Sequence, residues 1–412
     1  MCRITRSTYV LFALVLLGAI TVSGVKQPTS VQAHAQTITP QAALVRVLTA
    51  PHEQAAWFAP LFLTQVSAAQ VEQGVAAIKA QFGPYKGVTP RPDGSFVVTF
   101  ARGTAQAQIH LDVQGRIDGL LFTKPQFTYV SQSAALQGLR AIPGQVSLLV
   151  TKNGTDTITI NPDRALAVGS AFKLAVMAAL KERVAAHQLS WQQFVTLRTE
   201  DKSLPSGILQ TKPAGSSYTI ADVARYMISI SDNTAANMLI RVVGRPAIDP
   251  LIPPRDRPIL TTREFFVLKD PANRALRDRY LAATDATGRL AVLTQADQLP
   301  LPSLTTLGPL FAKGPVSPRI EWFFSARQLC ALMGRVQHLP QMSVNPGVAD
   351  QADWARVAYK GGSEPGALNL TTLVTAHDGA AYCVSATWNN AALLDEGRFE
   401  SLYSSLLHAF AL

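Results

Sequence analysis

The chain has 412 residues, a length that predicts two or three domains of ordinary size, each able to bury a hydrophobic core. Hydrophobic residues make up 48% of the sequence and charged residues 16%, which excludes a globally disordered chain. The net charge of +10 is spread along the chain without a long run of Lys or Arg. The charge pattern therefore gives no sign of nucleic-acid binding and suits an exported protein beside anionic cell-envelope polymers.

The N-terminus has the layout of a secretory signal peptide. Arg3 and Arg6 precede an apolar run over residues 9–22, and small polar residues follow up to Ala33-His34-Ala35. A run of about 14 apolar residues is short for a membrane span. We expect residues 1–35 to be a cleaved signal peptide of a secreted or periplasmic protein. The alternative is that the segment is not cleaved and anchors the protein in the membrane by its N-terminus.

Residues 40–124 predict a small α+β domain with helices first and an antiparallel meander second. This order resembles the cystatin-like and steroid-isomerase-like cone folds. The segment contains no paired carboxylates and no glycine-rich phosphate loop, so a ligand pocket and a structural or docking role both stay open. The predicted helices cover residues 41–50, 53–63 and 66–82, and the predicted strands cover 85–89, 95–101, 105–113 and 116–122.

After a linker over residues 125–133, residues 134–412 predict a second domain. Strands are expected near its start, at 145–151 and 157–161, and near its end, at 356–360, 368–376 and 381–388, with a nearly all-helical stretch between them. One antiparallel sheet would then be assembled from both ends of the domain, with a helical subdomain inserted. The chain as a whole is of the α+β or α/β class, and a catalytic cleft would lie between sheet and helical subdomain.

Two cysteines would remain after cleavage, and neither has the spacing of a metal ligand. Cys330 lies in a helical pattern and Cys383 in an apolar strand, so both look like core positions. We expect two free buried thiols, with a disulfide as the alternative. The sequence indicates no metal site and no cofactor.

Ser170 stands where an extended stretch ends and a strongly helical run begins. Positions i and i+3 share a helix face, so Lys173 can reach the Ser170 hydroxyl and, as a neutral amine, accept its proton. That role needs a lysine pKa depressed by burial and by a second cation, for which Lys360 is the candidate. A helix-capping serine has the same spacing, so this pair alone is weak evidence.

Ser231-Asp232-Asn233 follows one apolar helix and begins another. A helix cap needs only one such residue, whereas the triplet offers a proton relay in Ser231, a scaffold acid in Asp232 and an amide donor toward substrate in Asn233. Lys360-Gly361-Gly362 ends an apolar strand, and its two glycines would let a substrate backbone lie flat against the strand edge. The alternative for that motif is an ordinary turn.

With these motifs in this order, residues from about 135 to 412 resemble the serine β-lactamase and penicillin-binding-protein fold, closest to class A. The run Ser231-Asp232-Asn233-Thr234-Ala235-Ala236-Asn237 extends the likeness beyond the triplet. The whole chain resembles the two-domain serine hydrolases of this family typified by a clavulanic-acid-pathway protein.

The resemblance implies a role for each residue of the set. Ser170 would be the acylated nucleophile, Lys173 its base and Ser231 the proton relay, with Lys360 as the electrostatic anchor for a substrate anion. The backbone N–H groups of Ser170 and Ser363 would form the oxyanion hole.

Two departures from the class A pattern matter. No Glu-x-x-Leu-Asn motif follows the Ser-Asp-Asn triplet to activate a deacylating water, and Glu264, at a comparable distance, lies in what reads as an amphipathic helix. Gly361 stands where the family has a hydroxyl residue, which removes a hydrogen bond to a substrate carboxylate worth roughly 1.5–3 kcal/mol. Both departures predict inefficient penicillin hydrolysis.

The leading hypothesis is an exported serine hydrolase that acts through a Ser170 acyl-enzyme on an ester, an amide or a β-lactam. Its substrate would be a small molecule, a peptide or an ester, with peptidoglycan left open as a partner. An active β-lactamase and a peptidoglycan D,D-peptidase are the alternatives among enzymes. A non-catalytic cell-envelope binding protein is the alternative outside them.

Overall fold

The computed structural model describes residues 38–411, which divide into two compact units. Among the described residues, the smaller unit holds 38–130 together with Asp395–Ser405, and the larger unit holds Ser131–Leu394 and residues 406–411. The predicted export segment lies outside the described residues. Among residues 38–411, no helix is long and apolar enough to cross a membrane.

Between residues 38 and 130, the smaller unit has three helices followed by four antiparallel strands in the order β1-β2-β3-β4. Its elements are α1 (Pro40–Thr49), α2 (Pro60–Leu63), α3 (Ala68–Phe82), β1 (Tyr85–Pro90), β2 (Phe96–Phe100), β3 (Gly103–Leu111) and β4 (Ile117–Phe127). The helix predicted over 53–63 is instead a 3-10 turn, Ala55–Trp57, and the short α2. Pro60 has no amide hydrogen and therefore begins a helix instead of continuing one.

Aromatic residues form the core of the smaller unit. The Phe82 ring, at the end of α3, lies 4.8 Å from the Phe127 ring and 6.2 Å from the Phe100 ring. Residues 395–405, which the sequence placed with the second domain, pack in this unit. Arg102 Nη1 pairs with Asp395 Oδ2 at 3.2 Å, and this ion pair ties the segment to the end of α3.

The larger unit carries the remaining helices and strands. In chain order they are α4 (Gln132–Ala141), β5 (Gln145–Lys152), β6 (Thr155–Ile160), β7 (Leu166–Ala167), α5 (Lys173–Ala185), β8 (Phe194–Thr196), β9 (Ser217–Thr219), α6 (Ile220–Ser229), α7 (Asn233–Val243), α8 (Arg245–Ile248), α9 (Thr262–Lys269), α10 (Arg274–Ala282), α11 (Ala286–Ala296), α12 (Leu304–Phe311), β10 (Phe323–Phe324), α13 (Ala326–Val336), β11 (Arg356–Glu364), β12 (Ala367–Thr375) and β13 (Ala381–Asn389). The last helix, α14 (Glu396–Ala409), belongs to the smaller unit up to Ser405 and to the larger unit from Leu406.

A five-stranded antiparallel sheet of order β11-β12-β13-β5-β6 organises the larger unit. Strands from the start and the end of the unit meet where β13 pairs with β5, and the mostly helical segment lies between them in sequence. The structure thus confirms the predicted fold class, an antiparallel sheet with flanking helices and a helical insertion. Strand β11 forms one edge of this sheet.

The prediction of two free thiols is wrong, because Cys330 and Cys383 form a disulfide. Helix α13 packs on strand β13 and brings the two Cα atoms to 5.9 Å, within the usual range for a disulfide. Both residues are buried, as expected. A buried position is compatible with a thiol and with a disulfide, so only the packing of helix on strand distinguishes them.

Helix α5 lies in the hydrophobic core of the larger unit. All residues from Leu174 to Leu180 are buried, so the helix is surrounded by protein on every side along its first two turns. Just before it, the Phe172 ring stacks on Trp322 with the ring centroids 4.0 Å apart, and Trp322 stacks on Phe265 at 4.6 Å. These contacts fix the segment that carries Ser170.

Candidate active site

The three sequence motifs meet around the hydroxyl of Ser231. Lys173 Nζ lies 3.1 Å from Ser170 Oγ and 3.1 Å from Ser231 Oγ. Lys360 Nζ lies 3.1 Å from the same Ser231 Oγ. Two amines and two hydroxyls from three distant parts of the sequence therefore form one hydrogen-bonded cluster.

Ser170 lies in the 3-10 turn Gly169–Phe172, which leads directly into α5. Gly169 has φ +49°, a backbone conformation that favours glycine, and a Cβ built on it would lie 3.1 Å from the backbone nitrogen of Ser363. This close approach places the serine turn against the end of strand β11. The amides of Ser170 and Ser363, predicted to form an oxyanion hole, thus belong to two segments in direct contact.

Lys173 is completely buried at the first position of α5. Besides the two hydroxyls, its Nζ contacts Ser231 O at 2.6 Å and Asn233 Oδ1 at 2.7 Å. Burial, and after it the positive charge of Lys360, hold the pKa of Lys173 well below its ordinary value. Both effects favour the neutral amine, the form that a general base requires.

Lys360 is also buried, at 3% exposure, and extends from strand β11. Its Nζ donates to the carbonyl of Gly361 as well as to Ser231 Oγ. Burial lowers the pKa of Lys360 to about 7. Near neutral pH this lysine changes its charge readily, and a substrate anion nearby would favour the charged form.

The Ser231-Asp232-Asn233 segment is held by its buried carboxylate. Asp232 Oδ2 accepts from the backbone nitrogens of Ile208 at 2.7 Å and Leu209 at 2.9 Å, while Oδ1 caps α7 by accepting from Ala235 at 2.8 Å. Ser231 itself has φ +56°, which is uncommon for a residue other than glycine. The Asp232 anchor stabilises that conformation, which presents Ser231 Oγ to both lysines.

Asn233, which the sequence predicts to donate an amide hydrogen to a substrate, makes two contacts within the protein. Its Nδ2 donates to the Leu204 carbonyl at 3.1 Å, and its Oδ1 accepts from Lys173. The side chain is 7% exposed. Asn233 therefore orients the buried lysine, because its carbonyl oxygen accepts from Lys173 Nζ while its amide nitrogen is held by the Leu204 carbonyl.

The two glycines of Lys360-Gly361-Gly362, which the sequence predicts to lie beside a substrate backbone, are in close contact with neighbouring parts of the protein. A Cβ on Gly362 would overlap the backbone nitrogen of Ser170, so glycine is required for the strand to approach the serine. A Cβ on Gly361 would overlap the hydroxyl of Tyr359, which occupies the space beside the glycine.

Glu264 is not available to activate a water. It is fully buried at the third position of α9, where it completes a capping box with Thr261. Both of its oxygens also accept from Arg245 Nη2, at 2.5 and 2.6 Å. A carboxylate held this way stabilises the start of a helix, and the amphipathic pattern around it reflects that role.

Residues 38–411 contain no group of three or more His, Cys, Asp or Glu side chains that could hold a metal ion. The groups present can transfer protons and bind an anion. Such groups suit acyl transfer through a serine hydroxyl.

Residues 131–299 match the model of the β-lactamase enzyme family. The match covers the first part of the larger unit and supports a β-lactamase-like fold for it. A comparison with the curated proteins finds no match.

Three solved structures illustrate what the chain is similar to. The β-lactamase from Sphaerobacter thermophilus DSM 20745 is 20% identical, with 68% of this chain and 95% of that chain covered and a TM-score of 0.46. PBP-A is 18% identical over 69% of this chain and 99% of its own, with a TM-score of 0.45. A β-lactamase from Chitinophaga pinensis DSM 2588 is 16% identical over 68% and 97%, with a TM-score of 0.44.

Proposed function

We propose that this protein is an exported serine hydrolase that forms an acyl-enzyme on Ser170 with an ester, an amide or a β-lactam. One observation carries the proposal: Ser231 Oγ lies 3.1 Å from the amines of both Lys173 and Lys360, while Lys173 also reaches Ser170 Oγ. A helix cap or a structural ion pair needs no such arrangement, whereas the transfer of a proton from a nucleophile to a leaving group requires it.

In the acylation step, neutral Lys173 takes the proton of Ser170 Oγ, and the oxygen attacks the carbonyl carbon of the substrate. The resulting oxyanion is stabilised by the N–H groups of Ser170 and Ser363. Ser231 gives its proton to the leaving oxygen or nitrogen as that bond breaks, and it regains a proton from Lys173. Charged Lys360 attracts an anionic group of the substrate beside Ser231.

The disulfide between Cys330 and Cys383 supports export, because stable disulfides form in oxidising compartments. The predicted signal peptide and the basic net charge point the same way. We propose that the protein acts at or outside the cell envelope on a small-molecule, peptide or ester substrate.

Deacylation should limit turnover, because the class A glutamate motif is missing and Glu264 is held by Arg245. With p-nitrophenyl acetate we expect a burst of about one p-nitrophenol per enzyme, followed by a slow steady state. With a chromogenic cephalosporin, intact-protein mass spectrometry should show an adduct that accumulates. Ser170→Ala should show neither, and fast cephalosporin hydrolysis without an accumulating adduct would contradict the rate-limiting step assigned here.

The pH dependence of acylation should differ between neutral and anionic substrates. For a neutral ester, kcat/KM should rise with pH as Lys173 loses its proton and then level off, because only the neutral amine accepts the serine proton. For a carboxylate-bearing substrate it should fall again above about pH 7, because Lys360, whose pKa is lowered to about 7, then loses the charge that attracts the anion. If the pH profiles of kcat/KM had the same shape for the neutral and the carboxylate-bearing substrate, Lys360 would not be the anion anchor.

A further inference from the structure

The backbone carbonyl of Ser231 accepts two hydrogen bonds beside the catalytic cluster. One comes from Lys173 Nζ at 2.6 Å, and the other comes from the hydroxyl of Ser206 at 2.7 Å. A carbonyl oxygen has two lone pairs, so it can accept both bonds at once. Ser206 thus shares an acceptor with the amine that is proposed as the base, although it belongs to none of the three sequence motifs.

Ser206 is held against the Ser231-Asp232-Asn233 segment by two hydrogen bonds. Its Oγ donates to the Ser231 carbonyl, and its own carbonyl accepts from the backbone nitrogen of Asn233 at 3.0 Å. The next residue, Gly207, has φ +104°, and a Cβ built on it would overlap the Asp232 carboxylate. Glycine therefore lets the backbone after Ser206 approach the segment closely, which fixes the Ser206 hydroxyl relative to Ser231.

The contacts of Lys173 determine where its lone pair can point. A neutral amine has two N–H groups and one lone pair, whereas a charged amine has three N–H groups and no lone pair. The Ser231 carbonyl and Asn233 Oδ1, at 2.6 and 2.7 Å from Nζ, can only accept, so they take the two N–H groups. The lone pair is then left for the hydroxyls of Ser170 and Ser231, whose Oγ atoms each lie 3.1 Å from Nζ.

The Ser206 hydrogen bond also affects which form of Lys173 is favoured. A carbonyl that accepts from an amine stabilises its charged form, because a charged N–H group is the stronger donor. The Ser206 O–H group draws on the electron density of the same oxygen, so the Ser231 carbonyl becomes a weaker acceptor for Lys173. The hydroxyl therefore favours the neutral amine, which is the form that accepts a proton.

We propose that Ser206 is a positioning residue for acylation: its hydroxyl fixes the Ser231 carbonyl beside Lys173 and helps to keep that lysine a neutral base. This assignment rests on the proposed function. Ser206 acts through Lys173 and gives no proton to the substrate.

Ser206→Ala removes the shared hydrogen bond without changing the charges around Lys173. Burial lowers the pKa of Lys173 most; of the charged side chains that act on it, Lys360 lowers the pKa, and Asp232 and Glu364 raise it. With a fluorophosphonate, the plateau rate of labelling should fall about tenfold, because the amine is less well directed after the loss of one hydrogen bond. The pH at half of the plateau rate should rise by about half a unit, because the charged amine becomes more favourable.

Ser206→Thr keeps a hydroxyl at this position and should restore both the plateau rate and the pH at half of that rate. Ser216→Ala is the matched control, because Ser216 Oγ also donates to a backbone carbonyl, that of Pro213 at 2.8 Å, and not to a residue of the cluster. Both quantities should keep their wild-type values in this control.

A wild-type plateau rate and an unshifted pH profile in Ser206→Ala would overturn the assignment. An equal slowing at every pH would overturn it too, because a loss of rate without a shift of the profile indicates a structural role only. A wild-type protein that the fluorophosphonate does not label would instead overturn the proposed function, and this assignment with it.

Discussion

Lys173→Met should lower the rate of Ser170 acylation roughly a thousandfold, because it removes the amine that accepts the serine proton and keeps a side chain of similar length. Methionine also suits a buried position better than a charge does. The rate can be followed by intact-protein mass spectrometry with a fluorophosphonate, which reacts with the serine nucleophile and needs no anion anchor. This reagent therefore isolates the activation of Ser170 from substrate recognition by Lys360.

Lys181→Met is the control for this experiment. Lys181 lies on the same helix α5, and its Nζ donates to the Arg335 carbonyl instead of the catalytic cluster. We expect this variant to react at the wild-type rate. Labelling of a folded Lys173→Met protein at the wild-type rate would contradict the role of Lys173 as the base.

Asp232→Ala should destabilise the protein by about 3–5 kcal/mol, a large effect for a single substitution. The substitution leaves three buried backbone amides, those of Ile208, Leu209 and Ala235, without the carboxylate that accepts from them. Urea unfolding followed by tryptophan fluorescence measures the loss as a shift of the midpoint. Because Asp232 also holds Ser231, acylation should slow under conditions in which the variant is still folded.

Asp285→Ala provides the comparison. Asp285 caps α11 at an exposed position through one bond, from Gly288 N at 2.7 Å, so its loss should cost only about 1 kcal/mol. Equal destabilisation by the two substitutions would show that the buried bonds of Asp232 are not what holds the triplet in place.

The central residues of the site could be predicted from the sequence because their chemistry restricts their spacing. Ser170 and Lys173 must share a helix face, which fixes an interval of three residues. Ser231 and Lys360 come from other segments, and they could be predicted because the motifs follow one another in the same order as in the family that the chain resembles. The structure brings all four together, although the sequence gives no distance between them.

Other features depend on packing that the sequence does not reveal. The disulfide requires that α13 lie on β13, and burial alone predicted thiols at Cys330 and Cys383 equally well. The orientation of Asn233 follows from the buried amine beside it, because the side-chain oxygen of Asn233 accepts a hydrogen bond from Lys173 Nζ.

In the smaller unit, too, some element boundaries could be predicted from the sequence and others could not. Helix α3 begins at Ala68 because Ser67 and Gln70 form a capping box, a signal present in the sequence. The single helix predicted over 53–63 is not observed, because Pro60 begins a separate short helix. The packing of residues 395–405 in this unit involves partners about 300 residues apart, as Arg102 and Asp395 are, and no local pattern announces it.

Peptide mapping after fluorophosphonate labelling tests most directly whether this protein is a serine hydrolase that uses Ser170. We predict one adduct per chain, located on Ser170 and absent from Ser170→Ala. An unlabelled wild-type protein, or an adduct on another residue that persists in Ser170→Ala, would contradict the assignment of Ser170 as the nucleophile.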